Sequence, residues 1–290
     1  MSFTTLDRIA CALLVVLTIP GCVEGRKKQG GEVSATGSES LSPRPSTDTG
    51  IVEGTVSIEG DPAPVQPGLA ARVTTECPDV SNMYGLLFRE GSGRTVADVF
   101  VGVTGYNGVA ADKTSPVKVT ARGCTWDKRT YGLTAKQHIE VKSADALAYI
   151  PELFGAKKGA SLVAVPNGNA IPVYSKGPGM YVLVDQMRNF IQATVLVVNF
   201  PTFDVTGLDG KFRIEGVPIG NAKLSAFLPT VNLNTDRPIV VKRNQTTHVD
   251  LKLRFDAAAF AASTPAPRGA AAQPPQSNAP ADSGAPTKQP

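Results

Sequence analysis

The chain has 290 residues, enough for two domains of ordinary size, with 42% hydrophobic residues and a formal net charge of +4. Its basic residues are scattered rather than gathered into a run that could track a phosphate backbone, so nucleic acid is not an expected partner. Both ends look unfit to fold, which confines the globular part to the middle, as one core of moderate size or two small ones.

Residues 1–22 read MSFTTLDRIACALLVVLTIPGC. Arg8 supplies a positive flank, and Ile9 to Ile19 is an apolar run too short to span a bilayer as a helix of about 20 residues. Ile19-Pro20-Gly21-Cys22 resembles the lipobox of bacterial lipoproteins, in which the cysteine takes a diacylglycerol and becomes the new N-terminus, although Pro20 stands where a small or β-branched residue is usual. The resemblance implies lipidation at Cys22 and a lipid-anchored place in the bacterial cell envelope. Val23, rather than Asp, after the cysteine points by the same resemblance to the periplasmic face of the outer membrane or the cell surface. An ordinary cleaved signal or an uncleaved anchor is the alternative. Residues 23–50, rich in Gly, Ser, Thr, Pro and charge, are expected to be a disordered linker.

With Cys11 removed and Cys22 lipidated, the body keeps Cys77 and Cys124, an even pair in an oxidising compartment. A disulfide is expected, stabilising the fold by about 3–4 kcal/mol in the chain-entropy account. Two buried thiols or a metal pair are the alternatives, and a metal pair would need more ligands than the sequence offers nearby. Cys77 lies in the poorly patterned stretch from Asp61 to Tyr84, which such a bond would pin.

From Ile51 onward, short β-branched runs alternate with Gly, Pro, Asn and Asp. They are Val52 to Ile58, Val99 to Val103, Val117 to Val119, His138 to Val141, Met180 to Val184, Ala193 to Val198, Lys211 to Ile214, Ala222 to Phe227, Ile239 to Lys242 and His248 to Phe255. Most alternate apolar with polar, as a strand with one wet face requires, whereas Thr194 to Val198 is nearly continuous and is expected to be buried on both sides. No stretch keeps a helical period over three turns, so the fold class is all-β, sheets packed on sheets as β-sandwich domains. The Ala- and Pro-rich tail, 256–290, is expected to be disordered, with Ala257 to Ala262 as the part able to extend a strand or form a helical turn. Its prolines lack a clean PxxP-plus-basic arrangement.

Two passages carry a further resemblance. Residues 205–220, VTGLDGKFRIEGVPIG, resemble the T-D-x-x-G-x-F-x-I-x-x-V-P-x-G signature of carboxypeptidase-regulatory-like β-sandwich domains, related in shape to transthyretin. Leu208-Asp209-Gly210 is read as a hairpin turn with Gly210 at positive φ, Phe212 and Ile214 point inward, and Pro218-Ile219-Gly220 turns the chain into the next strand. GTVSIEGDPAP at 54–64 and Val96 to Val101 resemble the first strands of that domain. The intervening segment resembles a cupredoxin, as joined to this sandwich in exported proteins associated with methylamine utilisation. The resemblance rests on Gly123-Cys124-Thr125-Trp126, His138 to Asp145, Gly179-Met180-Tyr181 and Pro201-Thr202-Phe203. The implied organisation is a regulatory-like sandwich in two halves, 51–114 and 200–255, interrupted by a cupredoxin-like Greek key at 115–199.

In that family the copper ligands are a His four residues after the Asp of an N-S-D motif and the Cys, His and Met of a C-x-x-H-x-x-M run. The corresponding positions here are Tyr149, Asp185, Arg188 and Ile191. A blue-copper site needs a thiolate, two imidazoles and usually a thioether, and none is present, so the resemblance implies a scaffold without copper and no cofactor. It also implies that Tyr149, Asp185, Arg188 and Ile191 converge, with Asp185 and Arg188 close enough to pair.

No catalytic fingerprint occurs, His138 and His248 are read as solvated or satisfied, and spacing gives no reason to choose among the carboxylates. Asp209 is read as a turn residue. The expected function is therefore a non-catalytic binding or structural module, attached to the membrane by its lipid. Its loops, 151–178 among them, would face a glycan or an envelope protein. The alternative is an accessory protein of a periplasmic redox or metal-handling system.

Overall fold

The alternation of β-branched and polar residues becomes strand wherever one face finds a core. The computed structural model describes residues 45–70, 72–156 and 161–263, all within the unit Pro43–Pro290. The expected signal peptide with Cys22, residues 23–44 and the tail beyond 263 lie outside the described residues. The elements in chain order are β1 (Thr49–Gly60), α1 (Pro67–Ala70), α2 (Val80–Tyr84), β2 (Phe100–Thr104), β3 (Val117–Arg122), β4 (Thr125–Trp126), β5 (Thr130–Thr134), β6 (Ile139–Ser143), β7 (Pro151–Phe154) and β8 (Ile171–Val173). They continue as β9 (Gly179–Asp185), β10 (Gln192–Val198), β11 (Phe203–Val205), β12 (Lys211–Pro218), β13 (Gly220–Leu228), β14 (Leu233–Val241), β15 (Thr246–His248), β16 (Leu251–Phe255) and α3 (Ala257–Ser263).

The strands form four sheets packed in two pairs. In the first sandwich, β12-β1 with β15 and β16 faces β11-β2-β13-β14 across a core that includes Val56, Val101, Ile214, Leu224 and Leu253. In the second, β5-β10-β9-β7 faces β4-β3-β6-β8 across Trp126, Tyr149, Leu183 and Ile191. The chain leaves the first sandwich after β2 and re-enters it at β11. The segment between β1 and β2 serves both: Phe88 and Val96 pack in the first core, while Cys77, Val80 and Tyr84 pack in the second.

Several expectations need correction. Ser46 already exchanges hydrogen bonds with Val109 and β1 begins at Thr49, so the fold starts inside the 23–50 linker. Of the two outcomes open to Ala257 to Ala262 the helical turn is the one found: it lies within α3, whose Phe260 is 5.8 Å from the Phe255 ring, beside the first core. Alternate residues of Thr194 to Val198 are only half-buried, since the outer face of that sheet is partly open. The turn at Leu208-Asp209-Gly210 does not join a hairpin. Gly210 has φ +67°, but β11 pairs with β2 and β12 with β1, so the turn carries the chain from one sheet to the other. His248 to Phe255 splits into β15 and β16, both parallel to β1. The break is where the Asp250 carboxylate accepts a hydrogen bond from the Thr55 N–H and the Val249 carbonyl crowds Gly54, where a Cβ would meet it at 2.0 Å.

The two sandwiches meet at Asp98. Its carboxylate is buried and accepts Arg89 Nε at 2.7 Å, Arg89 Nη2 at 2.8 Å and the Arg129 backbone N–H at 2.8 Å. Asp98 N–H donates to the Thr206 carbonyl of the first sandwich, while Arg129 leads into β5 of the second. Alongside, Gly132 of β5 lies under the stacked rings of Phe100 and Phe203, where a Cβ would come within 2.8 Å of both. Replacing Asp98 by Asn keeps a residue that tolerates its φ of +65° and removes the charge opposite Arg89. Urea unfolding should show Asp98→Asn destabilised by about 3–5 kcal/mol. A loss of less than about 1 kcal/mol, the range of an exposed pair, would show that the junction does not depend on this charge.

Candidate functional site

The structure brings Tyr149, Asp185, Arg188 and Ile191 together at one end of the second sandwich. Asp185 ends β9, Arg188 and Ile191 lie in the turn to β10, and Tyr149 precedes β7 on the neighbouring edge. The turn is tight: Arg188 N–H donates to the Asp185 carbonyl, Ile191 N–H to the Arg188 carbonyl, and Asp185 N–H to the Ile191 carbonyl. The Arg188 guanidinium is thereby folded back 5.2 Å from the Tyr149 ring centroid, with Nη1 at 3.1 Å from both Asp185 Oδ2 and the Ala148 carbonyl. Asp185 is fully buried, and its other oxygen accepts the Ile150 N–H at 2.7 Å. Ile191 is buried in the second core.

Asp145, which the sequence marks as the Asp of the motif preceding Tyr149 but to which it gives no role, holds the other side of this cluster. Asp145 accepts hydrogen bonds from the Gly123 N–H at 2.7 Å, the Tyr149 hydroxyl at 2.8 Å, the Leu147 N–H at 2.9 Å and the Ser143 hydroxyl at 3.3 Å. The Tyr149 oxygen in turn accepts the Cys124 N–H at 3.2 Å. Gly123 and Cys124 both have positive φ, and the second is bonded to Cys77, with Cα atoms 4.9 Å apart. The Cys77–Cys124 disulfide thus ties the α1–α2 segment to the turn that Tyr149 and Asp145 organise. That segment is also held by Val80 and Tyr84, so the bond is not its sole anchor.

Burial, reinforced by the bond to Asp145, pushes the Tyr149 hydroxyl well above its ordinary value. Partial burial works to raise Asp145, but the bonds from Leu147, Tyr149 and Gly123 outweigh it and hold the carboxyl below its usual value. Among the described residues no three His, Cys, Asp or Glu side chains gather as a metal site. His138 stacks on Tyr174 at 5.0 Å and His248 lies 3.2 Å from Glu53, on different sandwiches. Asp209 accepts the Lys211 N–H and so acts as a turn residue. The 151–178 stretch contains β7 and β8, with Phe154 and Tyr174 exposed.

A cleft of about 830 Å³ lies between the sandwiches. Asp79, Asn82 and Met83 form one wall, Arg122 and Asp127 another, and Leu208 of the first sandwich a third. Its walls come from three distant stretches of chain, and no local pattern announces them.

No protein-family model and no curated protein matches the chain. Over about a third of its length it is similar in structure to cupredoxins. Amicyanin from Paracoccus versutus matches 34% of this chain and 97% of its own, at 12% identity and a TM-score of 0.26. A reduced amicyanin variant matches 29% of this chain and 82% of its own, at 10% identity and 0.25. The Cu-containing nitrite reductase from Thermus scotoductus SA-01 matches 33% of this chain, at 14% identity and 0.26, and the match spans a quarter of the reductase's length.

The Asp145 network has a pH signature. Its folded-state value is depressed, so the stability it adds is complete above the unfolded value near pH 4 and is lost as pH falls through the folded value. Below about pH 4, wild-type stability should fall more steeply with pH than that of Asp145→Asn. Parallel slopes in acid urea titrations would show that the network does not favour the carboxylate.

Proposed function

We propose that this chain is a non-catalytic binding module of the bacterial envelope, anchored by lipid at Cys22, whose cupredoxin-like part does not carry copper. The observation that supports it is the Arg188 guanidinium seated between the Tyr149 ring and the Asp185 carboxylate. A guanidinium stays protonated and has no lone pair for a cation, and Ile191 has no donor atom. Asp185 and Tyr149 are spent on Arg188, the Ile150 N–H, the Cys124 N–H and Asp145. These residues do not fit copper, which takes thiolate, imidazole and thioether donors. What they fit is structure: a cation closes the end of the sandwich by charge-assisted hydrogen bonds.

The inter-sandwich cleft supplies the module with a binding surface. Its lining of hydroxyl, amide and charged groups with a few apolar side chains suits a polar partner such as an envelope glycan. Titrating the metal-free mature protein with Cu(II) and with Cu(I) should give neither a visible thiolate-to-copper band nor a tight stoichiometric equivalent. One tight equivalent lost in Asp185→Ala, but kept in His138→Ala and His248→Ala, would overturn the reading.

A further inference from the structure

A second cavity, of about 350 Å³, has in its wall the Arg129 guanidinium, which lies 5.8 Å from the Tyr84 ring centroid and has, among the described residues, no carboxylate bonded to it. Arg129 is buried in its wall, 8% exposed. Its Nη1 donates to the Leu86 carbonyl at 2.9 Å, and the Gln66 Nε2, from the same cavity wall, reaches that carbonyl too. Asp98 lies close by but is occupied: both its oxygens hold Arg89, and from Arg129 it takes only the backbone N–H. Among the described residues no carboxylate hydrogen-bonds to the Arg129 side chain, and no Asp or Glu lines the cavity. Burial lowers the pKa of this guanidinium, and attraction to Asp98 does not restore it.

Another observation points the same way. Thr230, which enters the wall from the first sandwich, has a buried hydroxyl with no hydrogen-bond partner among the described residues. Buried polar groups are normally paired, so an orphan beside a cavity marks a place for a ligand atom. Phe190, on another side, is covered by the Arg72 guanidinium 5.3 Å from its ring centroid, and Arg72 itself is not part of the cavity wall. Leu69, Val182 and Phe190 give the cavity an apolar side. A doubly charged phosphate would need more donors than one buried guanidinium and a hydroxyl, whereas a carboxylate matches both the single charge and the planar donor fork.

We infer that this cavity binds the carboxylate of a small ligand with an apolar body, Arg129 receiving the carboxylate and Leu69, Val182 and Phe190 the body. The site is separate from the Tyr149–Arg188 cluster, so the copper experiment does not bear on it. A free organic acid and the C-terminal residue of a peptide present the same chemistry.

The test is calorimetric titration of the full mature chain with 3-phenylpropanoate, with 3-phenylpropanamide, and with a short peptide ending in Phe, its C-terminus either free or amidated. At least one carboxylate probe should bind at one equivalent, and its amide at least tenfold more weakly. Binding of the acid alone would identify a small-molecule site, and binding of the free peptide alone a C-terminus site; either supports the inference. Arg129→Gln should abolish binding, and Thr230→Val, which removes the orphan hydroxyl while keeping the volume, should weaken it severalfold. If Arg129→Gln does not fold, the acid-to-amide ratio and Thr230→Val decide. Equal binding of acid and amide, absence of binding by all probes at millimolar concentration, or binding unaffected in Thr230→Val and in folded Arg129→Gln would each overturn the inference.

Discussion

The arrangement of this chain depends on a buried carboxylate, Asp98, which serves three segments at once. It neutralises Arg89 from the segment after α2, receives the backbone of Arg129 at the entrance to β5, and belongs to the stretch that leads into β2 of the first sandwich. A buried ion pair adds little net stability compared with apolar packing, but losing one partner leaves an uncompensated charge, so it fixes a geometry more than it strengthens it. The geometry fixed here is the junction of two sandwiches. Thr206 continues the constraint, its hydroxyl accepting the Val99 N–H and donating to the Val96 carbonyl. The inter-sandwich cleft and the Arg129 cavity both draw walls from the two sandwiches and would lose their shape without this junction.

Within the second sandwich, a different set of charges closes the end where the family resemblance would seat a metal. A bound cation and a guanidinium can do similar structural work, since each gathers electronegative groups from separate strands. Arg188 gathers the Asp185 carboxylate, the Ala148 carbonyl and the Tyr149 ring, and through Tyr149 it is linked to Asp145 and the Cys124 turn. On the reading proposed above, this end of the sandwich is structural and binding belongs to the cleft and the cavity.

How far the sequence could be read follows from how local each feature is. Strands with one wet face, such as β3 and β16, alternate in the sequence as they do in the structure. Thr130–Thr134 shows only Tyr131 and Leu133 in alternation with two threonines and a glycine, which would leave the other face of a strand wet. It is nonetheless wholly buried, since Phe100 and Phe203 from the first sandwich cover Gly132. The Cys77–Cys124 bond could be expected from the parity of the cysteines, and the pairing of Asp185 with Arg188 from the resemblance that aligned them. Asp98 could not be distinguished from the other carboxylates, and Asp145 was legible as a motif position but not as a hub, because their partners are brought to them by folding. The same holds for Arg129, which in the run Asp127-Lys128-Arg129 looks like a solvated loop charge and is buried by segments far away in the chain.

If Asp98 holds the sandwiches as one body, they should unfold as one. The chain has a single tryptophan, Trp126, buried in the second core, so its fluorescence reports that sandwich alone, while far-UV circular dichroism reports the strands of both. Followed together through a urea titration of the oxidised protein, the two signals should share one midpoint and one slope. A tryptophan transition separated from the dichroism transition would mean that the sandwiches melt independently and that the Asp98 junction does not unite them.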